Sequence, residues 1–399
     1  MRRLRVLHVI GGGDTGGAMT HLLPLLSSLA LAECDVTLLC LGEGGLANEA
    51  QERGLSVRVL PMSNPWDVAV LPALRAAVAE EGWDVVHTHG MRANLPVRAV
   101  FPWRTRRPCL FTTVHSDLLL DYSSPLLARA YQALDRATLG RVDNVIAVSD
   151  SLRSLLLQRG YPEDRTVRIW SGIEWHEETG ATGLSSAGDV SALSGGDGAA
   201  TPGAARRARL GTVARLAAVK DIALLLETTA LVRRSVPEAE CVVVGDGPER
   251  AALEARAHEL GLDGPEGAVR FTGRIEQVAP VLAGMDVFVV TSVYEGGVSM
   301  SVLEAMAAGL PVVSTAAGGV AEAVEDGVTG FVVSRDRERG ALAAALAERT
   351  AALLADPHLR ARMGEAGAAR VRRLFLAEHA AARTRRAYER CLAARDGLL

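Results

Sequence analysis

Short runs of consecutive apolar residues recur along the chain with no polar position alternating inside them, and longer stretches of helical spacing separate them. VLHVI (6–10) precedes a helical stretch over 17–31. VTLLCL (36–41), a helical 45–54 and VRVL (57–60) follow, then DVVHTHG (84–90), CLFTTVHS (109–116) and NVIAVS (144–149). Strands without alternation are buried on both faces, the mark of a parallel sheet whose crossovers are helices. Right-handed crossovers then predict a doubly wound α/β domain.

The second half repeats the plan. RLGTVAR (209–215), CVVVGDG (241–247), VRFTGR (269–274), DVFVVTS (286–292), PVVST (311–315) and GFVV (330–333) read as strands. Helices are predicted over 221–234, 248–260 and 300–308, the last stopped by Gly309 and Pro311. From about 338 the chain is rich in Ala, Arg, Leu and Glu and reads as helix. Residues 177–205 are Gly, Ser and Ala with almost no bulky apolar side chain, which predicts a flexible linker. The expected organisation is a Rossmann-like domain over 1–175, a linker over 176–206, a second Rossmann-like domain over 207–372 and a helical tail over 373–399. Ligands are expected at the carboxyl ends of the strands, where two such domains face a cleft.

Composition narrows the classes. At 399 residues, 49% hydrophobic and 23% charged, the chain is globular and long enough for two or three domains. No apolar run approaches the length of a membrane span. MRRLRVLHVIGGG has a basic tip, but its apolar run is short and ends in glycines, so it reads as a first strand and not a signal peptide. A net charge of −4 argues against nucleic acid as a partner. Five cysteines, scattered and without a CxxC pair, predict reduced thiols in a cytoplasm. Of 43 basic residues a single one, Lys220, is lysine. An arginine bias in coding explains the arginines but not the one exception, and a compact ammonium differs from a guanidinium where it meets a point of negative charge.

Four constellations could carry chemistry. Gly11, Gly13 and Gly16 fit G-x-G-x-x-G after the first strand, but residues 11–17 hold five glycines and several registers match. Three readings stand side by side: a dinucleotide site of an NAD oxidoreductase with Glu43 as its ribose acid, a close-approach turn, and a turn whose Gly16 and Gly17 bring a substrate phosphate or sugar to backbone N–H groups. His87, His89 and His115 end two strands. They read either as polar groups of the structure or as substrate contacts, and a metal trio lacks a supporting acid or cysteine at ligand spacing. Arg215 and Lys220 flank the turn after a strand and make an anion site suited to a diphosphate. The densest stretch is 291–315, where a buried strand leads through a glycine loop into a helix whose first amides can receive a phosphate. Glu295 stands in the loop, and Glu304 about one turn into the helix.

These stretches together resemble the retaining nucleotide-sugar glycosyltransferases of family 4, over about residues 4–335 apart from the linker. The carriers are DTGGAMTHLL (14–23), DVVHTHG, TVHS (113–116), VIAVSDSL (145–152), IWSGIE (169–174), VARLAAVKD (213–221), VVVGDGP (242–248), FTGR (271–274), LEAMAAGLPVV (303–313) and EDGVTGFVV (325–333). The resemblance implies the GT-B architecture and a hexosyl transfer from a UDP-, GDP- or ADP-sugar to a hydroxyl acceptor, with retained anomeric configuration and with neither a cofactor nor a metal. It implies that Arg215 and Lys220 neutralise the donor diphosphate and that Glu304 holds the ribose. Glu295 with Gly296, Gly297 and Val298 would contact the donor sugar, as would His115, while Gly16 and Gly17 line the donor phosphates. The chain departs from the family in three places. Eight residues separate Glu295 from Glu304 where seven are usual, and Ser171 and Glu174 replace an Asn and an Asp. A sugar-nucleotide epimerase and a non-catalytic sugar-nucleotide-binding protein are the alternatives. A lipid-linked acceptor would bring the enzyme to the inner face of a membrane, with the arginine-rich 360–386 region either meeting anionic lipid or forming a solvated helix face.

Overall fold

A computed structural model of the chain describes every residue except Met1, 12–16, 63, 65–66, 103–106, 118–124, 177–179, 182–206, 264–266, 276, 396 and 398–399. Most of the expected linker therefore lies outside the described residues. The chain divides into two units, Met1–Gly172 with Leu376–Leu399, and Ile173–Phe375.

The first unit is built on seven parallel strands: β1 (Leu4–Ile10), β2 (Cys34–Leu41), β3 (Ser56–Leu60), β4 (Val85–His89), β5 (Cys109–Val114), β6 (Asn144–Ala147) and β7 (Thr166–Arg168). Their order is β3-β2-β1-β4-β5-β6-β7. Chain order reverses between β1 and β4, where a doubly wound sheet opens its ligand crevice. Val6, Leu7 and Val9 of β1 and all of β4 are buried, because helices cover both faces of the sheet. The helices Leu71–Ala79, Met91–Val100, Pro125–Thr138 and Asp150–Gln158 were not singled out by the apolar runs; they supply the crossovers that parallel pairing requires.

The last helix, Ala377–Arg395, is part of this unit. Its small residues Ala380, Ala381 and Ala387 join the same buried cluster as Leu22, Leu26 and Leu29 of the helix Gly17–Leu31. Arg385 donates to the carbonyl of Ala32, just past that helix's end (2.7 Å), where carbonyls lack intrahelical partners. Tyr388 is fully buried, and Cys391 lies against Cys109 of β5.

The second unit carries six parallel strands, β10 (Arg209–Val213), β11 (Glu240–Val244), β12 (Val269–Gly273), β13 (Val287–Val290), β14 (Val312–Thr315) and β15 (Gly330–Val333), in the order β12-β11-β10-β13-β14-β15. They are preceded by a two-stranded antiparallel hairpin, β8 (Trp175–His176) with β9 (Gly180–Ala181). The order again reverses, here between β10 and β13. The expected helices appear at Ile222–Val232, Arg250–Glu259 and Met300–Ala307, and the tail forms Arg339–Ala355 and Pro357–Leu374 before crossing back to the first unit. Arg360 donates to the carbonyls of Leu353 and Leu354, and Arg370 to those of Ala323 and Glu322, so these arginines of the tail hold backbone ends of their own unit. Among the described residues no helix is long and apolar enough to cross a membrane.

Candidate functional site

Each unit places those of its expected residues that are described at its own switch point. In the first unit, β1 carries His8, and β4 ends in His87 and His89 in register beside it. His115 follows β5 directly, and His21 sits one turn into the helix that begins at Gly17. Gly16 lies outside the described residues. His8, His21, His87 and His89 are buried and His115 is half-buried.

The rings touch. His8 Nδ1 lies 2.9 Å from His89 Nε2, and His89 Nδ1 lies 3.3 Å from His115 Nε2. His87 Nδ1 lies 2.5 Å from the hydroxyl of Tyr388, and its Nε2 lies 2.7 Å from Thr113 Oγ1. The Tyr388 hydroxyl is also 3.5 Å from His8 Nε2. His21 stands edge-on to His115 at 5.5 Å between ring centroids, and its Nδ1 has no hydrogen-bond partner among the described residues. Burial lowers the imidazole pKa values to about 3 for His8 and His21 and about 4 for His115, and holds His87 and His89 well below the ordinary value. All five rings are therefore neutral at neutral pH. His8, His87 and His89 bring ligand atoms within 4.8 Å of one another, but His89 stacks on the other two rings instead of converging with them on a point. Each of their nitrogens already faces another group.

The second unit gathers charge at its switch point. β10 runs into the turn 214–221, which carries Arg215 and Lys220, and β13 into the loop 291–299. Lys220 Nζ pairs with Glu295 Oε1 at 2.5 Å, and Ser292 Oγ donates to the same oxygen at 2.7 Å. Thr291 Oγ1 donates to the Lys220 carbonyl, and the Val293 amide to that of Val219, so the two segments are stitched together. A small cavity there is lined by Thr212, Lys220, Ser292, Glu295, Ser299 and Ser301. The helix Met300–Ala307 starts at its edge, with no side-chain cap and no acid in its first turn, leaving its amides to attract an anion. Gly296 and Val298 are buried in the loop and Gly297 is half-buried. Arg215 is exposed, and its guanidinium has no partner among the described residues. Glu304 is half-buried with no hydrogen-bond partner for its carboxylate among them, and burial raises its pKa to about 7.

The loop's position is set by glycine. Gly318, at φ +51°, and Gly319 pack so tightly that a Cβ would come within 2.0 Å of the Glu295 carbonyl and 2.4 Å of Gly297. The Gly319 amide donates to that same carbonyl at 3.1 Å. The structure thus brings Lys220 and Glu295 into direct contact and puts the start of the Glu304 helix at the same cavity.

Sequence reasoning missed the groups that hold this arrangement. Asp221, next to Lys220, adopts a left-handed backbone (φ 45°, ψ 50°) that costs a non-glycine residue energy. Two arginines hold it there, Arg335 at 3.3 Å and Arg339 at 3.0 Å. Arg335 also donates to the carbonyls of Thr291 and Ser292, clamping the lysine turn to the glutamate loop. In the first unit, His8, His21 and Tyr388 were missed. A histidine inside VLHVI and a tyrosine in the tail carry no local signal, and only the tertiary fold brings them together.

Comparison with known proteins assigns each unit to a glycosyltransferase family model. The Glycosyl transferase 4-like domain matches residues 16–172, and Glycosyl transferases group 1 matches residues 207–356. The two models together span most of the chain, which belongs to the glycosyltransferases they describe. Among the relatives of this glycosyltransferase, the alpha-maltose-1-phosphate synthase of Mycolicibacterium smegmatis is 28% identical over 94% of this chain and 95% of its own length. The Vi polysaccharide biosynthesis protein VipC/TviE of Salmonella typhi is 36% identical over 31% of this chain, a match that spans 21% of that protein. HepE of Anabaena, solved with UDP-glucose, superposes with a TM-score of 0.76 over 98% of this chain and all of its own, at 19% identity, which is a likeness of fold.

Proposed function

We propose that this glycosyltransferase moves a hexosyl residue from a nucleoside-diphosphate sugar to a hydroxyl acceptor (a glycan, a lipid-linked sugar or a small molecule) with retention of anomeric configuration. The observation that carries the reading is Lys220, the chain's one lysine, set at the second unit's switch point beside the uncapped start of Met300–Ala307. A diphosphate needs point charge and oriented amides, and this corner supplies both.

In this reading Lys220 and Arg215 meet the charge that builds on the departing diphosphate, so no step is routed through a metal. A ligand phosphate competes with Glu295 for Lys220 and frees the carboxylate to accept from sugar hydroxyls, with Gly296, Gly297 and Val298 as its backdrop. Glu304 accepts from the ribose, Gly16 and Gly17 offer amides to phosphate, and His115 meets a hydroxyl of the substrate. Retention comes from front-face displacement: the anomeric C–O bond to the diphosphate breaks, the acceptor oxygen bonds to the same carbon, and the acceptor proton passes to the leaving phosphate oxygen. The chain's part is positioning and charge stabilisation.

The test is a thermal-shift panel of UDP-, GDP- and ADP-sugars in EDTA. At least one should raise Tm by several degrees at saturating concentration. No stabilisation by any of them would refute the proposal.

A further inference from the structure

Four of the five neutral rings of the first unit, His8, His87, His89 and His115, form one hydrogen-bonded chain with Tyr388 and Thr113, and one contact in it sets the direction. A neutral imidazole has one N–H and one lone pair, so fixing one ring fixes the next. The contact between Tyr388 and His87 Nδ1, at 2.5 Å, has the length of an O–H donor and is short for an N–H donor. Tyr388 is therefore assigned as the donor to His87 Nδ1, because this is the shorter of the ring's two hydroxyl contacts and the one to Thr113, at 2.7 Å, fits either donor. His87 then bears its proton on Nε2 and gives it to Thr113 Oγ1 at 2.7 Å.

With its hydrogen used, the Tyr388 oxygen can only accept, and the group facing it is His8 Nε2–H. His8 Nδ1 must then accept from His89 Nε2–H at 2.9 Å, and His89 Nδ1 from His115 Nε2–H at 3.3 Å. The His115 Nδ1 lone pair is left over, without a partner among the described residues. Stacking of His87 on His89 (4.4 Å between centroids) and of His8 on His89 (5.2 Å) opposes ring flips that would exchange the nitrogens.

We infer that Tyr388, His8 and His89 are positioning residues that hold His115 as its Nε2–H tautomer, leaving Nδ1 as the acceptor for a substrate hydroxyl. The importance of that acceptor rests on the function proposed above; the tautomer does not. A buried polar chain with every link made is rigid, whereas a half-made one is costly, so the arrangement selects one direction. The device draws on a helix near the end of the chain to set a side chain at the end of β5.

The experiment is long-range ¹H–¹⁵N NMR on the full-length protein labelled in histidine, with no donor added and with His115 assigned by comparison with His115→Gln. The expected result is Nε2–H for His8, His87, His89 and His115. In Tyr388→Phe, which keeps the ring, His8 loses its acceptor, and the His115 tautomer ratio should shift toward Nδ1–H by about tenfold, the worth of one net hydrogen bond. An Nδ1–H form of His115 in the unaltered protein overturns the inference, even if the variant fails to fold. So does an unchanged tautomer in a variant that melts within a few degrees of the parent. Because no nucleotide sugar is present, a failed donor panel and a failed tautomer prediction are separate results.

Discussion

The two units use one sheet plan and furnish it with opposite chemistry. Each has the order 3-2-1-4-5-6 counted from its own first strand, with one further strand in the first unit. At the switch point of the first stand neutral imidazoles in a hydrogen-bonded chain; at that of the second stand a lysine, an arginine, two glutamates and an uncapped helix. The fold sets where a ligand can meet the chain, and the residues within β1 and β4 and just past β5, or just past β10 and β13, set what kind of ligand suits it. Neutral donors and acceptors suit hydroxyls; cations and helix amides suit phosphate.

Acid should break the comparison most sharply. The buried imidazoles bind protons in the unfolded chain near pH 6.5 and in the folded one only near pH 3–4. Between those values the unfolded state binds more protons, so stability rises with pH and falls as pH drops below about 6.5. Each excluded proton contributes about 1.4 kcal/mol per pH unit. Hydrogen exchange read by mass spectrometry should show strands 4–114 losing protection between pH 6 and 5 while strands 209–333 keep theirs. Simultaneous loss in both would show that the histidines do not set the difference.

A charge deletion should act on the second unit in the other way. Lys220→Ala is expected to lower turnover by on the order of 10²–10³, the cost of one lost transition-state donor, with a Tm change of only a few degrees. Steady-state kinetics with the donor found by thermal shift would check it, and full activity would remove the diphosphate assignment. The smallest effect is the most specific. The Glu304 carboxylate, raised from its ordinary 4.5 to about 7, makes the ligand-free fold less stable as pH rises across that interval. Glu304→Gln should therefore raise Tm at pH 8 but not at pH 4, and should weaken nucleotide binding. A Tm difference independent of pH would mean that the carboxylate is not strained by burial.

Much of this was legible from the sequence. Six of the seven strands of the first sheet and all six of the second could be read from their uninterrupted apolar runs, while the three-residue β7 could not. Lys220, Glu295 and His115 stood out by their places after strands, and Glu304 by its place in the helix beyond the loop. The residues that hold those groups were not legible. Asp221 and Arg335 lie 114 positions apart, and His87 and Tyr388 lie 301 apart. No local pattern records such pairings, since they follow from packing alone. The tail's composition specified helix, but its alanines match many partners, and only the buried face of Gly17–Leu31 shows which one they take.

That last helix has a consequence for synthesis. The first unit is interrupted at Gly172 and resumed at Leu376, so about 200 residues must be made before it can be finished. At ribosomal speeds this takes roughly ten to forty seconds. Throughout that interval the emerging sheet lacks the cover for Leu22, Leu26 and Leu29 and lacks the phenol that orders its imidazoles. The nascent protein thus passes through an obligatory stage with an open greasy flank, where chaperone capture competes with completion.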